Sequence, residues 1–190
     1  MSKIEEISAV IKVSEYIEKY RNVEHFFGFC RECNGYGKTW ACPPYESEIS
    51  LDEYTYANIY GRKIVVEPSL RVTMSGEELK RAMAAILEPV RRSLDLQLLE
   101  LERLNPNSRA LFAGSCRSCP EGECTRPVNK PCVKPHMMRP SLEAMGFDVG
   151  RTASELLGIE LQWSSDTLPE YFTLVYALFS KEQINKSIQP

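Results

Sequence analysis

Seven cysteines are the side chains of this sequence whose type and spacing point most directly to chemistry. They fall into two groups, and no cysteine lies outside them. The first cysteine group is Cys30, Cys33 and Cys42, and the second cysteine group is Cys116, Cys119, Cys124 and Cys132. Each group contains one C-x-x-C pair, whose turn can direct two sulfurs at one metal ion or cluster. Clustering of this kind favours metal binding over scattered burial as small hydrophobic side chains.

Two kinds of metal compete for these thiols. A structural zinc site usually has two C-x-x-C pairs, and here that would mean a site shared between the groups, with the ligands Cys30, Cys33, Cys116 and Cys119. Iron–sulfur clusters tolerate uneven spacings and often have proline beside a ligand cysteine. This sequence has three such neighbours, Cys42-Pro43, Cys119-Pro120 and Pro131-Cys132. We therefore favour an iron–sulfur cluster of the 4Fe-4S type on the second cysteine group, with zinc as the alternative.

The first cysteine group has three thiols, so a tetrahedral metal there needs a fourth ligand. A water or substrate, a carboxylate or a histidine could supply it. His25 and His136 are the only histidines, and each lies near a cysteine group. Neither has ligand spacing of its own, so we expect both to be ordinary loop residues and the fourth position to be open or filled from outside.

Charge and composition limit the class of protein. The chain has 190 residues, a net charge of -3 and a sequence pI of about 5.6, which argues against general nucleic-acid binding. It has no apolar run of about 18 residues, so no membrane span is expected. Residues 1–6 lack the pattern of a signal peptide, so we expect a cytoplasmic protein in which disulfides do not persist. Between residues 116 and 140, five basic and two acidic side chains would favour an anionic metal centre.

Several motifs together resemble a known family. They are Cys30-Arg-Glu-Cys33-Asn-Gly-Tyr36-Gly37, Trp40-Ala-Cys42-Pro43-Pro44, Gly114-Ser-Cys116-Arg-Ser-Cys119, Pro131-Cys132 and Arg139-Pro140-Ser141-Leu-Glu143-Ala-Met-Gly146-Phe-Asp148-Val149. With them, the chain from about Phe29 to the last strand resembles an uncharacterised prokaryotic family described as predicted metal-binding proteins and common in anaerobes. The resemblance implies that the seven cysteines are the metal ligands. It implies no particular reaction.

The elements that must position the thiols can be predicted from periodicity. Apolar residues at near-helical spacing predict an amphipathic helix over residues 4–20, and β-branched residues predict a strand over 56–66. Ser75 and Glu78 form a capping box that begins a long helix, in which Pro89 predicts a kink or a break. Residues 109–113 predict a short strand that leads into the second cysteine group.

The remaining residues predict loops, short helices and strands. Glycine and proline punctuate a first cysteine loop at 28–45, and five prolines punctuate the region of a second cysteine loop at 114–140. Ser141 and Asp148 are candidate caps of two short helices, and strands are predicted near 160–163 and 171–179. The order of elements predicts a single α/β (α+β) domain over residues 1–190, with a small mixed sheet covered by helices and the cysteine loops at the ends of its strands.

Other side chains near the cysteines have structural explanations. Tyr36, Trp40 and Tyr45 flank the first cysteine group and are expected to form a packed aromatic lid, the alternative being stacking on a flat substrate. Arg139 and Glu143 are expected to form a salt bridge that fixes the second cysteine loop, the alternative being that Arg139 binds an anion.

Three functions follow from these residues. The first is a small redox protein that transfers electrons to a protein partner, and the second is a cluster enzyme that uses the open position of the first cysteine group. The third is a zinc-stapled structural or interaction protein without catalytic activity. We expect the first two classes, in which an iron–sulfur cluster is the cofactor.

Overall fold

A four-stranded sheet with helices on both faces organises the chain in the computed structural model, which describes residues 3–47, 49–120 and 123–184. The main elements are β1 (Ile4–Lys12), α1 (Val13–Tyr20), α2 (Val23–Glu32), β2 (Tyr56–Val65), α3 (Gly76–Leu104), β3 (Arg109–Leu111), α4 (Val149–Arg151) and β4 (Tyr171–Ser180). Single 3-10 turns lie at Pro68–Leu70, Arg126–Val128 and Glu143–Met145, and a π-helical turn, Thr152–Leu156, continues α4.

The strands lie in the order β1-β2-β4-β3, and each neighbouring pair is antiparallel. The predicted fold class, a mixed α/β domain with a sheet covered by helices, is confirmed. The prediction that the sheet is mixed is wrong, because all three pairs of neighbouring strands are antiparallel. The crossover through α3 does return β3 parallel to β2, but β4 inserts between these two strands and pairs antiparallel with both.

Both faces of the sheet are buried, which gives two hydrophobic clusters in one domain. Alternate residues of β2 and β4 face opposite sides. On one side, Tyr60 and Tyr176 stack with ring centroids 5.3 Å apart and pack with α3. On the other side, Tyr16 of α1 stacks on Phe147 with ring centroids 4.4 Å apart. The sheet is therefore covered on both faces, and neither cluster includes a cysteine.

The amino-terminal segment corrects the sequence prediction. Residues 4–20 were predicted to be one helix, but their first half is the edge strand β1, paired with β2 from Ile4↔Ile64 to Lys12↔Tyr56. Only Val13–Tyr20 is helical. The β-branched residues of β1 suit a strand, and pairing with β2 outweighs a spacing that fits either structure.

The long helix α3 begins as predicted. Ser75 caps it and forms a complete capping box with Glu78. The helix continues through Pro89, so the predicted break is wrong. The loss of one backbone hydrogen bond at proline is outweighed by the apolar face beyond it, where Leu94 and Leu98 are fully buried against the sheet.

Two further predictions, the start of the first cysteine loop and the strand near residues 160–163, are wrong. The first cysteine loop was predicted to begin at residue 28, but α2 extends to Glu32 and carries Cys30 in its last turn. Residues 160–163 form no strand, since β4 already has β2 and β3 on its two sides and Trp163 is 83% exposed.

The other predicted elements are confirmed. β2, β3 and β4 lie at the predicted strands, and Asp148 caps α4 by accepting from the amide of Arg151 at 2.9 Å. Ser141 accepts from the amide of Ala144 at 3.2 Å, where the turn Glu143–Met145 begins. Within the described ranges, no helix has both the length and the apolar character needed to cross a membrane.

Candidate metal centre

The first cysteine group is built where α2 ends. Cys30 is in the last turn of the helix, and Cys33 directly follows it. The amide of Cys33 donates to the carbonyl of Cys30 at 3.0 Å, and the amide of Gly35 donates to the sulfur of Cys33 at 3.4 Å. An amide directed at a cysteine sulfur stabilises the thiolate that a metal requires.

Gly35 lies between two sulfurs of this group. A methyl group built on Gly35 would lie 3.3 Å from Sγ of Cys42 and 3.8 Å from Sγ of Cys33. Both sulfurs therefore face the same point above the glycine backbone. A side chain at this position would press on the Cys42 sulfur, so the close approach explains why glycine is present.

The second cysteine group is gathered within one irregular loop. Cys119 is close enough to Cys116, Cys124 and Cys132 for the charges of all three thiols to raise its pKa, although desolvation is the larger cause. The ammonium of Lys134 lowers the same pKa and also donates to the carbonyl of Ser118 at 2.7 Å. Lys134 therefore places a positive charge beside Cys119.

The two cysteine groups also approach each other. The pKa of Cys42 is raised first by burial, and the charges of Cys33 and Cys116 raise it further. The guanidinium of Arg126, in the second cysteine loop, donates to the carbonyl of Thr39 at 2.6 Å and also contacts the carbonyls of Cys42 and Pro44. One arginine therefore ties the backbone around Cys42 to the loop that carries the other thiols.

Trp40 completes this junction between the loops. Its indole Nε1 donates to the carbonyl of Lys130 at 3.1 Å, and its ring lies under the guanidinium of Arg126. Tyr45 donates through its hydroxyl to the carbonyl of Ala41 at 2.7 Å, and burial raises its pKa. Trp40 and Tyr45 therefore make structural contacts, in agreement with the lid that was predicted for these aromatic residues together with Tyr36, which is half-buried.

Helix α3 holds both ends of the second cysteine loop. Near the start of the loop, Arg91 donates to the carbonyl of Ser115 at 3.1 Å, and Glu88 pairs with Arg117. Near its end, Arg139 donates from Nε to the carboxylate of Glu102 at 2.8 Å and makes a second contact through Nη2.

The predicted salt bridge between Arg139 and Glu143 is therefore wrong, because Glu102 of α3 takes the arginine. Glu143 instead lies beside the first cysteine group, with its carbonyl 3.9 Å from Sγ of Cys30. Desolvation of its carboxylate raises the pKa of Glu143.

The two histidines lie on the surface. His25 packs its ring edge-on against Phe26 and Phe29, which are on the same helix. His136 is exposed, and its carbonyl accepts from Arg139 at 3.2 Å. The helix α2, which carries His25, has no buried residue. That neither histidine binds metal stays a prediction.

The donor set fits a metal bound by thiolates. All seven cysteines are free. Cys33 is exposed, and the other six are half-buried. In the described ranges, no three His, Cys, Asp or Glu side chains are already close enough to enclose an ion, so binding requires the thiols to move together. Two further observations fit an anionic centre. The sulfurs of Cys33 and Cys42 face one point, and Arg91 beside Ser115 has a buried Nε without a hydrogen-bond partner in the described residues.

A comparison with protein families identifies the chain at the level of its family. Residues 16–177 match the model of a family described as predicted metal-binding protein (DUF2284). The chain belongs to this family. The matched residues include both cysteine groups and α3, and metal binding is the property that the family's description states. No curated protein and no solved structure matches the chain.

Sequence reasoning missed three supporting residues of this family member, Arg91, Glu102 and Arg126. The sequence does contain a sign of Arg91. It is a charged residue on the apolar face of α3, three positions before the buried Leu94 and seven before the buried Leu98. Arg126 looked like one of several basic residues in the second cysteine loop. Its contacts with the first cysteine loop depend on the fold and have no local signature.

Proposed function

We propose that the second cysteine group holds an iron–sulfur cluster, of the 4Fe-4S type, and that the protein acts in electron transfer or cluster-based redox chemistry. The observation that carries this proposal is the effect of three thiols, Cys116, Cys124 and Cys132, on the fourth, Cys119. Four thiols in one loop, three of which are close enough to influence the fourth, match the ligand number of such a cluster. When bound, the cluster takes up and releases single electrons.

The residues around this group have separate tasks in the proposal. The four cysteines bind the cluster, and Lys134 supplies a positive charge next to Cys119. Arg139 and Glu102 fix the end of the loop by an ion pair that is largely buried. Fixing both ends lowers the entropy that the loop loses when the thiols gather around a cluster.

The first cysteine group is proposed to bind a second metal through Cys30, Cys33 and Cys42, with the fourth position open or filled from outside. Cys30 lies at the end of a helix whose residues are all at least partly exposed, so this group is close to the surface. An open position there suits a cluster enzyme, whereas a closed one suits an electron carrier that serves a protein partner. Location in the cytoplasm is part of the same proposal.

A zinc-stapled protein is the second candidate, and one observation favours it. Cys42 and Cys116 are close enough for their charges to interact, although they belong to different groups. A single zinc ion shared between the two loops, with ligands drawn from Cys30, Cys33, Cys116 and Cys119, would use this approach. Such a protein would have a structural or interaction role without redox chemistry.

Electron paramagnetic resonance tests the redox proposal. Protein purified without oxygen is reduced with dithionite, and spectra are recorded with and without added cyanide as a small ligand. A cluster spectrum that cyanide leaves unchanged supports the electron carrier, and a spectrum that cyanide shifts supports an open position and the enzyme. A spectrum without any cluster signal in the oxidised and reduced protein contradicts both and favours zinc.

A further inference from the structure

Two arginines are the buried charged residues of the described part of the chain, and they have very different surroundings. Arg62 is 1% exposed and forms an ion pair with Glu6, with 2.6 Å between Nη2 and Oε2. Arg91 is 9% exposed, yet no carboxylate of the described residues lies within ion-pair distance of it. A buried cation without a paired anion is costly, so the neighbourhood of Arg91 needs an explanation.

The contacts of Arg91 direct it towards the second cysteine group. Its Nη2 donates to the carbonyl of Ser115, the residue before Cys116, while its Nε is buried and has no partner among the described residues. Gly114 covers the guanidinium so closely that a methyl group there would lie 2.9 Å from Nη2. The arginine therefore supports the turn from which Cys116 projects.

The nearest acids compensate this charge poorly. Asp95 and Glu143 influence Arg91 from beyond ion-pair distance. Burial raises the pKa of Asp95 to about 7, so at neutral pH its carboxyl carries only part of a negative charge. Glu143 is at the surface beside Cys30 and forms no ion pair with Arg91. Neither acid does for Arg91 what Glu6 does for Arg62.

We propose that Arg91 is the counter-charge of the metal–thiolate centre on the second cysteine group and that it positions Cys116 through Ser115. The inference rests on the proposed function in one respect, that this group binds metal. It holds for an iron–sulfur cluster and for zinc alike, because four thiolates outweigh the positive charge of either core. Arg91 is a positioning residue and touches no reacting atom.

The proposal predicts effects of different size in the metal-free and metal-loaded protein. Without metal there is no anionic metal–thiolate centre beside Arg91, and the arginine is a buried charge that stabilises little. With metal bound, the same charge faces an anion. Replacing Arg91 by a neutral residue should therefore leave the metal-free protein nearly as stable as before and selectively weaken the loaded one. Replacing an arginine that has only a structural role would weaken both forms equally.

The first experiment uses the full chain and Zn²⁺ as the probe. The melting temperature is measured with and without Zn²⁺ for the wild type, Arg91→Met, Arg91→Gln, Arg91→Lys and the control Arg62→Met, and Zn²⁺ affinity is measured by competition with a chelator. The neutral variants at Arg91 should shrink the stabilisation by Zn²⁺ and lose about 10- to 100-fold in affinity. Arg91→Lys should restore most of both, and Arg62→Met should lower both melting temperatures alike.

Each outcome supports or overturns the inference. An unchanged stabilisation by Zn²⁺ in Arg91→Met overturns it, and Arg91→Gln, which can keep the contact with Ser115, provides the same test where the methionine variant does not fold. A wild type that Zn²⁺ does not stabilise overturns the inference for zinc, whereas the proposed iron–sulfur function fails only if protein purified without oxygen also lacks iron and sulfide.

A redox titration adds a readout that responds to the charge at residue 91. In protein loaded with an iron–sulfur cluster, a nearby cation favours the reduced state, so Arg91→Gln should have a lower reduction potential. A tenfold decrease in the equilibrium constant for reduction corresponds to about 59 mV in a one-electron couple. An unchanged or higher potential in the variant contradicts the proposal.

Discussion

The guanidinium of Arg126 lies over the ring of Trp40, 5.5 Å from its centre, and joins the two cysteine loops. Trp40 belongs to the loop of the first cysteine group and Arg126 to the loop of the second. The same guanidinium donates to the carbonyl of Thr39 at 2.6 Å. The relative position of the two groups therefore depends in part on the side chain of Arg126.

Replacing Arg126 should therefore separate the loops. Arg126→Ala removes charged hydrogen bonds to three carbonyls, each worth about 1.5–3 kcal/mol, and it should reduce the metal bound by the first cysteine group. The control is Lys130→Ala, which removes an exposed basic side chain from the same loop. Metal content per chain and the melting temperature test the difference. Equal effects of the two variants would show that only loop charge matters.

Single cysteine variants test the division into two groups. Alanine at Cys116, Cys119, Cys124 or Cys132 should remove the same metal in each case, because a site missing one thiolate loses both metal and folding energy. Cys42→Ala should leave that metal in place. The approach of Cys42 to Cys116 makes this a demanding test. If Cys42→Ala strips all metal, the two groups form one shared site.

Gly114→Ala should strain the turn before Cys116. Gly114 has φ +79°, a backbone region that costs other residues about 1–2 kcal/mol. Its added methyl group would also press on Arg91. Gly158→Ala is the matched control, because Gly158 has φ +64° and no atom near the added methyl group. Chemical unfolding should show a larger loss for Gly114→Ala, together with lost metal affinity that the control keeps. Similar losses of stability and retained affinity in both would refute the role of the contact.

The pKa of Asp95, raised to about 7 mainly by burial, predicts a pH dependence of the metal-free protein. Between about pH 4 and 7 the unfolded chain loses this proton while the folded chain keeps it. The contribution of Asp95 to stability is therefore largest at low pH and falls as the pH rises to 7. Asp95→Asn should match the wild type at pH 4 and exceed it at pH 8 by on the order of 3 kcal/mol. Unfolding in urea at both pH values measures the difference, and a variant that is less stable at both contradicts it.

The fold could be predicted where local signals agree with long-range packing. The capping box of Ser75 and the β-branched run of β2 both led to the correct element. The segment 4–12 was predicted wrongly because its apolar spacing fits a helix as well as a strand. Its structure is decided by pairing with β2, more than 40 residues away, which no local pattern reports.

The same distinction applies to the candidate site. The cysteine groups are visible in the sequence because the spacing of thiols is local. The partners of Arg139 and Arg126 are not visible, because Glu102 and Thr39 are distant along the chain and meet these arginines only after folding. Arg139 was assigned to Glu143, which is close in sequence but is turned towards Cys30 by the short 3-10 turn.

The central claim is that Cys116, Cys119, Cys124 and Cys132 hold an iron–sulfur cluster. The most direct measurement is the amount of iron, acid-labile sulfide and zinc per chain in the wild type and in Cys119→Ala, both purified without oxygen. The wild type should be brown, with iron and sulfide in equal amounts, and Cys119→Ala should lose iron and sulfide from this group. A colourless wild type with stoichiometric zinc and no sulfide would contradict the claim.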